Sequence, residues 1–317
     1  METSFEIVLG VLKNKQNGVL VCQRKKSDSL GGLWELPGGK KKPGEVMIEA
    51  LKRELKEELG ISVFSARPLI RLDFLDEGRR FILNVFDVIK WIGTPTGKEG
   101  QKTFWAREDK LHDYSFPKFN PSINTAISLP SIISVTPPLE EFDEYIQEVV
   151  RIAKSGVDLI QIRPLVSNKD LLIKIGKSLS SRINLKKTTL MINCKQSEFD
   201  PKLFGGLHLN RLEASRCYYR PISKSQLLST SCHNLKELAQ AEKIGVDFVY
   251  MSPVKSSITH SDRPPLGWNT LKKFVRKSSV PVYALGGLSF NDIISAKWLG
   301  CQGIALKSAI WDNKEKK

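Results

Sequence analysis

The 317-residue sequence has no apolar run near the ~20 residues that a bilayer span requires. Its apolar stretches, such as Phe5 to Leu12 and Val280 to Leu285, are far shorter, so no membrane association is expected. The start METSFEIVLG lacks a basic n-region and carries Glu2 and Glu6, unlike a secretory signal. Cysteine is sparse and scattered: Cys22, Cys194, Cys217, Cys232 and Cys301 form no CxxC pair. That pattern argues against a disulfide framework or a zinc site and points to reduced thiols in a cytoplasmic setting. There is no RNA-recognition, helix-turn-helix or zinc-finger pattern, so nothing requires direct nucleic-acid binding. No repeat of 20–50 residues is apparent. What remains, 41% apolar and 26% charged residues, is the composition of an ordinary globular protein long enough for two domains.

Charge is unevenly spread. The net charge of +15 divides into +4 over residues 1–130 and +11 over residues 131–317. Such a surface favours anionic partners, or it is a solvated cationic face that aids solubility.

In the first 130 residues, Phe5 to Leu12 and Val19 to Cys22 flank an Asn14-Lys15-Gln16-Asn17-Gly18 turn, a hairpin signature. Gly38-Gly39 and Pro43-Gly44 bracket a loop before a helical segment, Glu45 to Leu59, closed by Gly60. Strands are expected at Leu69 to Phe74 and Phe81 to Trp91, and a short last helix after Pro121. Beyond Leu129-Pro130 the rhythm changes. Eight short apolar runs alternate with helical segments: 132–135, 159–162, 190–192, 206–209, 227–230, 248–251, 282–285 and 303–306. This predicts a small (β/α)₈ TIM barrel over 131–317.

The sharpest chemical signal is Gly39-x5-Glu45-x7-Arg53-Glu54-Leu55-Lys56-Glu57-Glu58-Leu59-Gly60-Ile61. Glu54, Glu57 and Glu58 stand at i, i+3 and i+4, on one face of the helix. Like charges there repel by tenths of a kcal/mol per pair, a conflict that a hard divalent cation resolves. A solvated acidic face is the ordinary alternative. Seven fixed identities, however, match by chance only on the order of 10⁻⁹ per start position at average usage.

The segment resembles the Nudix box. The resemblance implies an α/β fold, an α/β/α sandwich with a mixed sheet over 1–130, and hydrolysis of a diphosphate linked to another moiety. By that pattern Glu54, Glu57, Glu58 and the Gly38 carbonyl ligate Mg²⁺ (or Mn²⁺), while Arg53 and Glu45 brace the carboxylates. Glu58 and Glu99 both stand as candidates for the general base.

Residues 1–128 further resemble the MutT type of Nudix hydrolase. The match is carried by Gln23-Arg24, Leu33 to Lys40, Trp91-Ile92-Gly93, Gly97-Lys98-Glu99-Gly100-Gln101 and Phe119-Asn120-Pro121. It implies an 8-oxo-dGTP diphosphatase, an oxidised purine nucleoside triphosphate as substrate, and a role in preventing replication errors. Glu99 becomes a further metal or water-activating carboxylate. Arg24, Arg79, Asn120, Glu35 and Phe119 become substrate-binding residues, with Trp34 or Phe119 lining a base pocket. Asn120 fits the chemistry. Guanine N7 only accepts a hydrogen bond, whereas 8-oxoguanine carries a donating N7–H, and an amide offers both an acceptor and donors. By spacing alone, Asn120 before Pro121 is an ordinary turn asparagine.

Residues 131–312 resemble thiamine phosphate synthase and its thiazole-tautomerase relatives. Gln161-Ile162-Arg163, Met191-Ile192-Asn193, Gly206 to Leu209, Ser231-Cys232-His233, Ser252-Pro253-Val254, Ala284 to Leu288 and Gly303 to Ile310 carry this. Gly286, Gly287, Lys307 and Ser308 match the phosphate cup such barrels form after strands 7 and 8. The departures matter as much. Cys194 and Glu213 stand where the synthase pattern has metal-binding Asp, Leu165 replaces a lysine, and Pro253 falls on the tautomerase histidine. The usual Thr- and Lys-rich loop reads Lys255 to His260. The expectation is a barrel without synthase activity, in which Cys194 is a buried thiol and His208 and His233 are satisfied polar side chains. A phosphorylated small ligand in the barrel is the corresponding partner. An alternative joins the halves in one pathway: a hydrolase of thiamine-related diphosphates, with the barrel binding a thiazole or pyrimidine phosphate.

Overall fold

The computed structural model describes residues 4–25, 31–138, 140–164, 168–256 and 264–311. Leu165 and residues 257–260 of the loop named above lie outside the described residues. Two compact units divide the chain. One is Met1–Leu129, to which Val275–Pro281 and Lys297–Cys301 also group, and the other is the remainder from Pro130 on. No described helix is long and apolar enough to cross a membrane.

The first unit is built on β1 (Ser4–Leu12), β2 (Gly18–Gln23), β3 (Trp34–Glu35), β4 (Gly38–Lys40), α1 (Met47–Leu59), β5 (Ser62–Asp76), β6 (Arg79–Ile92), β7 (Lys102–Arg107) and α2 (Asn120–Ser128). One sheet has the order β4-β1-β6-β5 and a second has β3-β2-β7. The first is mixed: β1 runs parallel to β6 and antiparallel to β4. Alternation in β1 and β2 sorts side chains to two cores. Val8, Leu12, Leu20 and Cys22 pack with Leu51, Leu55 and Leu59 of α1. Leu9, Val11, Val19 and Val21 pack with Ile123, Ala126 and Ile127 of α2. A helix core on each side of the strands is the sandwich expected from the sequence. The leucine stripe at i, i+4 and i+8 holds α1 down, each side chain contributing about 1.5–3 kcal/mol.

The β1–β2 hairpin is only partly realised. The chain reverses at Asn17, but β1 and β2 meet at a single bridge, Lys13 with Val19, and then join different sheets. The ladder positions along β1 are taken by β6 and β4, and those along β2 by β7 and β3. The strand expected at Leu69 to Phe74 is longer, beginning at Ser62, because register shifts near Ser65 and Pro68 interrupt its alternation.

The second unit is a closed barrel of eight parallel strands. They are β8 (Ile132–Val135), β9 (Leu159–Ile162), β10 (Thr189–Asn193), β11 (Gly206–Leu209), β12 (Leu227–Cys232), β13 (Phe248–Met251), β14 (Val282–Leu285) and β15 (Gly303–Leu306). Helices α3 (Phe142–Lys154), α4 (Lys169–Ser180), α5 (Arg211–Arg216), α6 (Leu235–Ile244), α7 (Gly267–Val275), α8 (Ile293–Trp298) and α9 (Ser308–Trp311) lie in the connections and after β15. Phe248, Tyr250 and Tyr283 are fully buried with their rings in mutual contact.

Candidate active site

The carboxylate helix starts two residues later than the sequence suggested. Glu45 is held outside α1, accepting from Lys42 N–H at 3.0 Å and from Arg53 Nε and Nη2 at 2.8 and 2.9 Å. The bidentate guanidinium, helped by that N–H, holds the Glu45 carboxyl down at about 2. Arg53 Nη1 also donates to Glu54 Oε1 at 2.7 Å and Glu57 Oε2 at 3.1 Å, and Nη2 to the Lys40 carbonyl at 3.2 Å. One guanidinium thus organises three carboxylates.

Glu58 is held differently. Gly38 N–H donates to its Oε2 at 2.8 Å, and Gln101 Nε2 to its Oε1 at 3.4 Å and its carbonyl at 3.1 Å. The buried Cys22 thiol is a further hydrogen-bond partner. Burial pushes the Glu58 carboxyl up to about 7; the donors oppose this, while the nearby negative Glu35 adds to it. Glu99 is exposed, and its N–H donates to Gln101 Oε1 at 2.9 Å. The same loop is pinned to the end of α1 by Lys98 N–H on the Glu58 carbonyl at 2.9 Å.

Gly38 and Gly39, expected in a loop, form β4 against β1, and both are required by space. A Cβ at Gly39 would lie 2.5 Å from Glu54 Cδ. One at Gly38, where φ is +144°, would meet the Val8 carbonyl oxygen and lie 2.9 Å from Leu9 Cα. Among the described residues, no three His, Cys, Asp or Glu side chains are arranged to hold a metal ion. The donor chemistry nevertheless suits a hard divalent cation, being oxygen throughout and crowded against a glycine backbone.

Arg24 Nε donates to Glu35 Oε2 at 2.6 Å, and Glu35 lies opposite Cys22 across the β2–β3 pair, beside Glu58. Phe119 and Asn120 belong instead to the α2 side. Phe119 contacts the rings of Phe74 and Phe81 at centroid distances of 6.2 and 6.4 Å. Trp34 packs against the same core, edge-on to Tyr114. Asn120 is not in a loop turn but in the first turn of α2, only 1% exposed. Its Nδ2 donates to Asn124 Oδ1 at 3.4 Å, and its Oδ1 has no hydrogen-bond partner. Arg79 is exposed at the start of β6, opposite Asp76. The sequence reading gave no role to Gln101, Cys22 or Asn124. Gln101 ends the Gly97–Gln101 segment of the MutT resemblance, but no spacing rule marks an amide that reaches back to Glu58.

In the barrel, Cβ atoms at Gly286 and Gly287 would meet the Pro253 and Ser256 backbone, so both glycines admit that loop closely. The Lys307 carbonyl accepts from the Ile310 and Trp311 N–H groups, and Ser308 opens α9. Cys194 is buried, and burial pushes its thiol up to about 12, with Glu198 and Glu213 adding to the effect. His208 Nδ1 lies 2.9 Å from Ser229 Oγ and Nε2 lies 3.3 Å from Ser231 Oγ. Burial holds its ring down at about 3. His233 Nδ1 lies 3.0 Å from Glu237 Oε2.

Known proteins match the two halves separately. The thiamine monophosphate synthase family model matches residues 132–310, more than half of the chain, and the NUDIX domain model matches residues 8–125. An 8-oxo-dGTP diphosphatase of Haemophilus influenzae is 34% identical over 37% of this chain and 85% of its own length. A putative thiamine-phosphate synthase 2 of Aquifex aeolicus is 29% identical over 56% of this chain and 96% of its own length. A solved MutT structure, from work on the Aliivibrio salmonicida and Vibrio cholerae proteins, is 32% identical with a TM-score of 0.36, covering 39% of this chain and 97% of that one. The chain therefore belongs to two families, as a MutT-type Nudix hydrolase in its first part and a member of the thiamine monophosphate synthase family in its second.

Proposed function

We propose that the Nudix half hydrolyses 8-oxo-dGTP to 8-oxo-dGMP and diphosphate, removing an oxidised precursor before it is copied into DNA. The observation that carries this reading is the buried Asn120 amide, whose Oδ1 lacks any partner. An unpaired acceptor in an apolar surround costs about 1–3 kcal/mol, and the N7–H of an 8-oxopurine is a donor that would relieve it. The relatives named 8-oxo-dGTP diphosphatase support the same substrate.

Glu54, Glu57, Glu58 and the Gly38 carbonyl would hold Mg²⁺ or Mn²⁺, with Glu99 as a further oxygen ligand. Bound there, the cation would withdraw charge from the phosphates and lower the pKa of attacking water. Arg53 keeps Glu54 and Glu57 on one side of the helix, and Gly38 and Gln101 orient Glu58. Glu58 or Glu99 takes the proton from water. Arg24, steadied by Glu35, and Arg79 bind phosphate and nucleotide, and Phe119 lines the base pocket.

For the barrel we propose loss of synthase activity with retention of a phosphorylated small ligand near Gly286, Gly287, Lys307 and Ser308. The buried Cys194 where that chemistry needs a carboxylate supports this. The five free thiols support a cytoplasmic setting. A second reading is favoured by the family match of residues 132–310: hydrolysis of thiamine-related diphosphates.

The test is release of product from 8-oxo-dGTP, dGTP and thiamine diphosphate side by side. A kcat/KM preference of about a hundredfold for 8-oxo-dGTP over dGTP, about 2.7 kcal/mol, is expected. A preference for the thiamine compound would transfer the function to the second reading. Glu54→Gln should abolish turnover in a folded protein, and retained turnover would overturn the metal assignment.

A further inference from the structure

The connection from α5 to β12 carries two adjacent tyrosines that pack on almost nothing. Tyr218 is 78% exposed and Tyr219 is 76% exposed. Burying such rings is normally favourable, so a pair left in water marks an interaction surface.

The segment is clamped. Gln240 Nε2 donates to the Cys217 carbonyl at 2.6 Å, just before the pair. Just after it, Arg220 is largely buried, donating to Asp247 Oδ2 at 2.7 Å, to the Gln226 carbonyl at 2.6 Å and to the Gly245 carbonyl. The rings are therefore presented by a fixed backbone, which lowers the entropy lost on binding.

The surround is cationic. Arg216 and Lys224 flank the pair in sequence, and both are exposed. Gln196 Nε2 on the Pro221 carbonyl (3.3 Å) and Gln226 Nε2 on the Pro201 carbonyl (3.4 Å) bring the loop with Lys195 and Lys202 alongside. Those two lysines are exposed as well. The neighbouring carboxylates Glu198 and Asp200 accept from the backbone N–H groups of Lys195 and Lys202, so they are engaged locally. Glu213, whose charge acts on Cys217, is a further acidic group nearby.

The connection leads into the start of β12, and its anchors Gln226, Gly245 and Asp247 precede β12 and β13. The two rings thus lie toward the N-terminal end of the strands, while Lys195, which lies just after β10, adjoins the C-terminal end at which ligands of such barrels bind.

We propose that the Tyr218–Tyr219 surface binds single-stranded nucleic acid. Unpaired bases stack on the rings while Arg216, Lys224, Lys195 and Lys202 meet the phosphates. Exposed aromatic rings beside cations suit unpaired bases of any sequence, and a duplex hides the base faces that the rings require. No sequence motif announces this surface, because it is assembled from two loops.

The test is fluorescence anisotropy of a labelled oligothymidylate of ~20 nucleotides with the full chain, at about 50 mM salt and above. Binding should weaken with salt. Tyr218→Ala with Tyr219→Ala should weaken it about tenfold or more, since stacking contributes ~1–3 kcal/mol per base. Lys195→Ala with Lys202→Ala should reduce the slope of log K against log salt by about 1.4, at ~0.7 per phosphate contact. Nucleotide hydrolysis and the circular dichroism spectrum should be unchanged in both variants. The proposal fails if the oligonucleotide does not bind at low salt, if binding survives removal of both rings, or if a duplex binds equally well. Equal competition by polyglutamate would also overturn it, in favour of an acidic protein partner.

Discussion

Replacing Asn120 with alanine separates a purine-reading asparagine from a structural one, because the two roles predict opposite ledgers. In the folded protein the Asn120 Oδ1 is an orphan acceptor, and its Nδ2 makes one long bond of 3.4 Å to Asn124. Removing the orphan recovers about 1–3 kcal/mol of desolvation cost. Losing the long bond leaves Asn124 Oδ1 unpaired in its place, a similar cost of about 1–3 kcal/mol, and the small void costs about 1 kcal/mol. Stability should therefore change by no more than about 1 kcal/mol. Discrimination should behave very differently. If Oδ1 accepts from the N7–H of the oxidised base, its loss removes most of a preference of about 2.7 kcal/mol, so the roughly hundredfold kcat/KM ratio between 8-oxo-dGTP and dGTP falls towards one. Steady-state kinetics on both nucleotides and a denaturant melt of the same preparation give both quantities. An unchanged ratio with a destabilisation of about 3 kcal/mol would refute the argument and leave Asn120 as a structural residue of α2. Under the thiamine reading, pyrimidine diphosphate turnover would survive the same substitution.

Gly39→Ala places a methyl group against the Glu54 carboxylate, so divalent-cation binding followed by calorimetry should weaken at least tenfold. Wild-type affinity in that variant would show that Glu54 is free to move aside. Arg53→Lys keeps the charge but cannot serve Glu45, Glu54 and Glu57 together, and should cost about 1–2 kcal/mol in a urea melt as well as weakening cation binding. No change in either would refute the bracing role. His208 tests the barrel's response to acid. Burial lowers its folded value to about 3, so the unfolded chain takes up a proton below about 6.5 while the folded chain does not. The stability associated with the neutral ring is present above pH ~6.5 and is lost as pH falls towards 3, by at most about 1.4 kcal/mol per pH unit. A folded His208→Gln variant should lose less stability than wild type between pH 6 and 4, and equal acid sensitivity in thermal melts would refute it.

The parts of this molecule legible in sequence are those where a short-range pattern meets a single tertiary solution. Barrel strands such as Phe248–Met251 and Gly303–Leu306 begin and end where their apolar runs do, because a parallel strand covered on both faces has no reason to alternate. The acidic face of α1 was equally clear, since i, i+3 and i+4 fix a face whatever surrounds it. Patterns that left the partner open misled. Asn17-Gly18 marks a reversal but not a ladder, and β2 went to another sheet. Pro68 and its neighbouring register shifts hid nearly half of β5, from Ser62 to Pro68. The site was legible to the same depth: which carboxylates share a face, but not which atoms hold them. Arg53 gathers Glu45, Glu54 and Glu57 while Glu58 turns to Gly38 and Gln101, and that division depends on a loop more than forty residues away. Asn120 shows the same limit from the other side. Spacing alone reads asparagine before proline as a turn, the family resemblance makes Asn120 a candidate reader of a base, and the structure adds its burial in α2 with Oδ1 unpaired. Side chains that act through distant neighbours are set by tertiary contacts, so Gln101, which reaches back to Glu58, is the residue of the site that the sequence passed over.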